Sequence, residues 1–91
     1  MKLKTVVPAA HLIIEELKVR FPGYSTNPVI QDHDHWADGV DESVRFICWE
    51  EGPYEWAMKV SNPDSRWHIE VDGIFLEPYN SFVLAVMPKD I

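Results

Sequence analysis

The sequence predicts an α+β fold: one N-terminal amphipathic helix packed on a four- to five-stranded antiparallel β-meander. Three observations carry this. Apolar residues recur at helical spacing near the N-terminus, and from residue 43 onward the period changes to two. Clusters of Pro, Gly, Asn and Asp then cut the second half into short runs. The 91 residues are read as a single domain, 1–91, with a helix over 8–21, an acidic loop over 22–42 and antiparallel strands over 43–88. A chain this small buries only about 60% of its unfolded surface, so the core must be used well. Four Trp, four Phe and three Tyr supply large apolar areas for it.

In PAAHLIIEELKVRF, Ala10, Ile13, Ile14, Leu17 and Phe21 fall at offsets 0, 3, 4, 7 and 11, one apolar stripe. Pro8 suits a first helical turn, and Pro22-Gly23 stops the helix. Glu16 and Arg20 stand i, i+4 on the polar side. The next segment, PGYSTNPVIQDHDHWADGVDE, is mostly loop by composition, with Val29-Ile30 as either a short strand or a plug into the core.

In SVRFICWE, Val44, Phe46 and Cys48 alternate with Arg45, Ile47 and Trp49, so a strand here is covered on both faces at least in part. In YEWAMKV, Tyr54, Trp56, Met58 and Val60 alternate with Glu55, Ala57 and Lys59. That alternation favours a strand, and a short helix starting at Pro53 is the competing reading. Ser61-Asn62-Pro63-Asp64 is a turn. In RWHIEVDGIFLEP, Asp72-Gly73 reads as a two-residue hairpin connection that pairs Val71 with Ile74 and Ile69 with Leu76. Pro78-Tyr79-Asn80-Ser81 turns the chain into FVLAVM, apolar on both faces and hence central in the sheet.

The charge map is lopsided. Net charge is −7, and residues 30–57 alone carry −7, because eight acidic residues face Arg45 only. Residues 1–29 carry +2 and residues 58–91 carry −2. Such a field repels nucleic acid and anionic lipid and attracts basic surfaces. The bland alternative is that the acidity only keeps the protein in solution. The eight Lys and Arg are scattered along the chain, which argues against direct nucleic-acid binding. One cysteine, Cys48, excludes an internal disulfide framework and fits a reducing compartment. The start MKLKTVVPAAHLIIEEL lacks the uncharged core of a signal peptide. No apolar run approaches the ~20 residues that span a bilayer. A soluble cytoplasmic protein with no membrane partner is expected.

The segment QDHDHWADGVDE is the one place that offers chemistry. His33 and His35 would share a side if this piece were extended, and with Asp32, Asp34 or Asp38 they could ligate a divalent ion. Neither EF-hand register fits, since Trp36 or Arg45 falls where oxygen ligands are needed. Cys48 sits mid-strand among large apolar residues and reads as a buried small residue rather than a nucleophile. No phosphate loop or nucleophile elbow appears, so no enzyme and no cofactor is expected. Most of the tryptophans belong to the core. Trp36 is the exception, being either a binding anchor ringed by carboxylates or a lid folded back over the helix–sheet junction.

These observations point to a small acidic, non-enzymatic binding protein of the inhibitor, immunity or nucleic-acid-mimic kind. Its partner would be a basic protein surface, such as the nucleic-acid site of another protein. Asp32, Asp34, Asp38, Asp41, Glu42, Glu50, Glu51 and Glu55 would stand in for phosphates, with Trp36 or Tyr54 as anchor. The alternatives are a metal-binding protein using His33 and His35, and a structural subunit whose two-sided apolar strands complete an oligomer interface.

Overall fold

The computed structural model describes residues 2–24, 27–36, 38–50 and 52–90, with side chains from residue 5. Its elements run α1 (Lys2–Arg20), β1 (Val29–Gln31), β2 (Arg45–Cys48), α2 (Trp56–Ser61), β3 (Ile74–Asn80) and β4 (Val83–Pro88). The four strands form one antiparallel sheet in the order β1-β2-β4-β3. The expected α+β architecture, helix on antiparallel sheet, is therefore present. The strands do not follow one another in simple sequence, however. β4 inserts between β2 and β3, which run parallel to each other, and α2 lies in the crossover that joins them.

α1 buries the predicted stripe of Ala10, Ile13, Ile14, Leu17 and Phe21 against Ile47, Leu84 and Val86. The helix begins at Lys2, earlier than expected, because Val6 and Ala9 extend the same stripe toward the N-terminus and are buried too. Pro8 thus sits inside the helix with its ring exposed, and costs the one backbone bond that its missing N–H would have made. Helix end and ion pair are as the spacing predicts: the chain leaves the helix at Pro22, and Arg20 Nε donates to Glu16 Oε2 at 3.2 Å.

β2 and β4 form the middle of the sheet and alternate strictly. Ile47, Leu84 and Val86 face the helices, while Val44 (just ahead of β2), Phe46, Val83 and Ala85 face the other way. Both faces are therefore apolar, as the run FVLAVM required of a central strand. Val29-Ile30 is a strand, β1, paired with Cys48 and Ile47.

Two local expectations fail. YEWAMKV is not a strand, because Trp56–Ser61 is helix α2. Met58, expected on the buried face, is 44% exposed, whereas Ala57, expected opposite it, is fully buried with Trp56 and Val60. Those three positions share one side at helical spacing, and a seven-residue window fits either period. The Asp72-Gly73 turn is real: Ile74 N–H donates to Val71 O at 3.0 Å and Gly73 has φ 78°. It does not close a hairpin, however. Residues 67–71 are irregular, Ile69 N–H donates instead to Val60 O in α2 at 3.0 Å, and Ile74 and Leu76 pair with Pro88 and Val86. The true hairpin is β3–β4, turning through Ser81-Phe82.

The helix side of the sheet ends in an aromatic knot. Phe21 packs on Trp49 and Trp67, and Trp49 packs edge-on against Trp56 at 5.8 Å. Trp56 Nε1 donates to Trp49 O at 2.9 Å, so the buried indole is satisfied. Gly52 has to be glycine here: a Cβ would lie 2.7 Å from Trp49 Cδ2 and Cε3 and 3.1 Å from Trp56 Cδ1. Gly52→Ala is expected to lower stability by about 2 kcal/mol in urea unfolding, the scale of an overpacked core. Glu55, just before α2, has φ 58°. Releasing a left-handed non-glycine residue gains ~1–2 kcal/mol against ~0.5–1 for glycine's added freedom. Glu55→Gly should therefore raise the melting temperature by a few degrees, read by calorimetry.

Candidate functional site

The acidic loop covers the sheet face that the helices leave open. Trp36 and Val40 pack on Val44, Phe46, Val83 and Ala85, with Cys48 and Met87 at the margin. Trp36 is half-buried, and its ring lies 6.2 Å from Tyr79 and edge-on to His35 at 5.2 Å. Tyr79 O–H donates to Trp36 O at 2.8 Å, across 43 residues of sequence. Trp36 therefore folds back, but onto the face opposite the helices and not over the helix–sheet junction. Its indole N–H is buried and meets no acceptor among the described residues.

Arg45 ties the two ends of the loop together. Its Nη1 donates to Glu42 O at 2.7 Å and Val44 O at 2.8 Å, and its Nε stands 3.9 Å from Asp32 Oδ1. Asp41 is structural: its Oδ1 accepts from Ser43 N–H at 2.8 Å and from Ser43 Oγ at 2.6 Å. Ser43 is itself buried, so this carboxylate satisfies both of its donors. Asp34, Asp38 and Glu42 remain exposed, with no ion pair among the described residues.

The other candidate residues sit elsewhere. Glu50 and Glu55 flank the Cys48 end of β2, whereas Asp41 and Glu42 precede its Arg45 end, about 10 Å away along the strand. Tyr54 is 71% exposed and packs on Phe82 at that far end. Glu51 lies outside the described residues. The structure thus brings Asp32, Asp34, Trp36, Asp38, Asp41 and Glu42 together on one loop and leaves Glu50, Tyr54 and Glu55 apart.

His33 and His35 do not lie on one side of an extended segment. His35 N–H donates to Asp32 O at 3.1 Å, which closes a turn. Among the described residues no group of three or more His, Cys, Asp and Glu could hold a metal ion. Cys48 is less buried than its neighbours suggested. Burial, and then the negative charge of Glu50, push its thiol above the usual range, opposite to what a nucleophile needs.

Between the loop and β3 lies a cleft of about 310 Å³ that the sequence did not reveal. Phe46, Ala85 and Met87 form its floor, Val40 and Val44 its loop side, and Glu77, Pro78 and Tyr79 its β3 side. Glu77 is the one charged residue among the described residues that line it. The available signal was the two-sided apolar character of the middle strands, which demands a second cover and leaves room beside it.

Tyr79→Phe removes the long-range tether and should cost about 1 kcal/mol. Amide exchange should accelerate in the 32–42 loop and stay unchanged in α1, as read by hydrogen–deuterium exchange. Compared with family models, curated proteins and solved structures, the chain finds no match, so its function is argued from its own residues.

Proposed function

We propose that this chain is a small acidic, non-enzymatic binding protein of the inhibitor, immunity or nucleic-acid-mimic kind, docking through its loop-covered sheet face on a basic protein surface. The observation that supports it is a local surplus of unpaired charge. Asp34, Asp38 and Glu42 are exposed with no ion pair among the described residues, and Arg45, the one Lys or Arg in residues 30–57, is spent on carbonyls and Asp32. Elsewhere Glu15 lies within 4 Å of Lys18, Glu16 of Arg20 and Glu70 of His68. Asp64, Asp72, Glu77 and Asp90 are exposed with no ion pair among the described residues, but they are spread along the chain rather than gathered on one loop. Charge of this kind speeds encounter and selects partners more than it adds affinity. The Glu50–Glu55 end of β2 plays no part in this face, so the reading narrows to the loop.

No described helix is long and apolar enough to cross a membrane. A cytoplasmic setting fits the single cysteine. The assembly alternative has less support, because both sheet edges are blunted. β1 is three residues long, and β3 carries Pro78 and a register shift between Pro78 and Asn80.

Retention on immobilised polylysine tests the location of the charge. The triple variant Asp34→Asn, Asp38→Asn, Glu42→Gln should bind about tenfold more weakly, and with a shallower salt dependence, than the wild type. Glu15→Gln, Glu16→Gln, Glu70→Gln changes net charge equally and should bind within about twofold of it. Equal loss in both variants, or retention indifferent to salt, would reject the loop face.

A further inference from the structure

We infer that the cleft beside the loop receives one aliphatic or aromatic side chain presented by a basic polypeptide segment. This rests on the docking reading above and specifies what the partner carries.

The cleft has a structural cause. In the cross-strand register Phe46 pairs with Ala85 and Ala85 with Glu77, so the smallest side chain of the row lies between two larger ones. The resulting depression, about 310 Å³, is at the low end for ligand sites, which run from ~300 Å³ upward. It suits a single side chain rather than a cofactor.

Charge sets the sign of what surrounds that side chain. Glu77 is exposed on the β3 side, and Asp38 and Glu42 each stand two residues from Val40 on the loop side. Among the described residues no Lys, Arg or His lines the cleft. An acidic ligand would meet uncompensated repulsion there, whereas Lys or Arg flanking an apolar side chain would meet carboxylates on both sides.

The surroundings point to a polypeptide rather than a small molecule. Phe75 and Tyr79 alternate with Glu77 on the same face of β3 and are 48% and 47% exposed, so apolar surface continues past the cleft. The Tyr79 hydroxyl is already committed to Trp36 O, which leaves its ring as an apolar wall. Pro78 has no N–H to offer, and the shift beside it breaks the regular ladder. The partner is therefore read through its side chains, not by adding a strand.

The test follows methyl and amide NMR signals of the full chain during titration with three capped pentapeptides: Lys-Lys-Leu-Lys-Lys, Lys-Lys-Ala-Lys-Lys and Ser-Ser-Leu-Ser-Ser. The first should shift Val40, Val44 and Met87 saturably at low salt, and the other two should bind about tenfold more weakly. Ala85→Leu, which fills the depression, should abolish the preference for Leu over Ala. Should that variant fail to fold, Glu77→Lys on the exposed rim should weaken both lysine peptides. Equal binding of the Leu and Ala peptides, still salt-dependent, would overturn the side-chain receptor and leave the acidic docking face standing. No binding by either lysine peptide at low salt would overturn both. Shifts at the same residues on raising protein concentration alone would assign the cleft to a second copy of this chain and overturn the proposal.

Discussion

Everything in this fold follows from the two middle strands being apolar on both faces. β2 and β4 send Ile47, Leu84 and Val86 one way and Phe46, Val83 and Ala85 the other. A sheet of this kind needs two covers. Both helices are drawn to one face, where α1 and α2 bury Ile13, Leu17, Trp56 and Val60. The segment left for the other face is the most acidic of the chain, and it has few apolar residues with which to do the work. Trp36 and Val40 supply them, which is why a large aromatic stands among aspartates.

Covering a core with an acidic loop has two effects. The apolar residues turn inward, so the carboxylates between them must turn outward. Some are then consumed in holding the loop in shape: Asp41 serves Ser43, and Asp32 lies beside Arg45. The remaining charge, on Asp34, Asp38 and Glu42, is exposed with no ion pair among the described residues. The thin cover also leaves the cleft, since two apolar side chains do not tile a face that two helices cover on the other side.

What could be read from the sequence was whatever one element states by itself. The stripe on α1 and the two-sided strands are of this kind, and both describe the structure. The strand expected over YEWAMKV fails because seven residues are too few to separate the two periods, and Ala57 is too small to declare its side. The Asp72-Gly73 hairpin fails for a different reason. A turn dipeptide specifies how the chain bends locally, but the partner of Ile74 is chosen by the central position of β4, more than ten residues on. Distance also explains the site. Residues 31–42 stand out as charge in any reading, yet the cleft joins Val40, Phe46, Glu77 and Met87, which only the strand order brings together. The grouping of Glu50 and Glu55 with the loop was an error of adjacency: the seven described acidic residues of this stretch, close in sequence, are divided by the length of β2.

The Arg45 clasp and the Tyr79 tether matter beyond stability. A flexible acidic tail surrenders its freedom on meeting a partner, and that loss is subtracted from whatever the contacts provide. Here the loop is closed at its base by a guanidinium and held at its crown by a phenol before any encounter. If the loop docks as proposed, part of the toll of immobilisation is met during folding, and shape as well as sign would then select the partner.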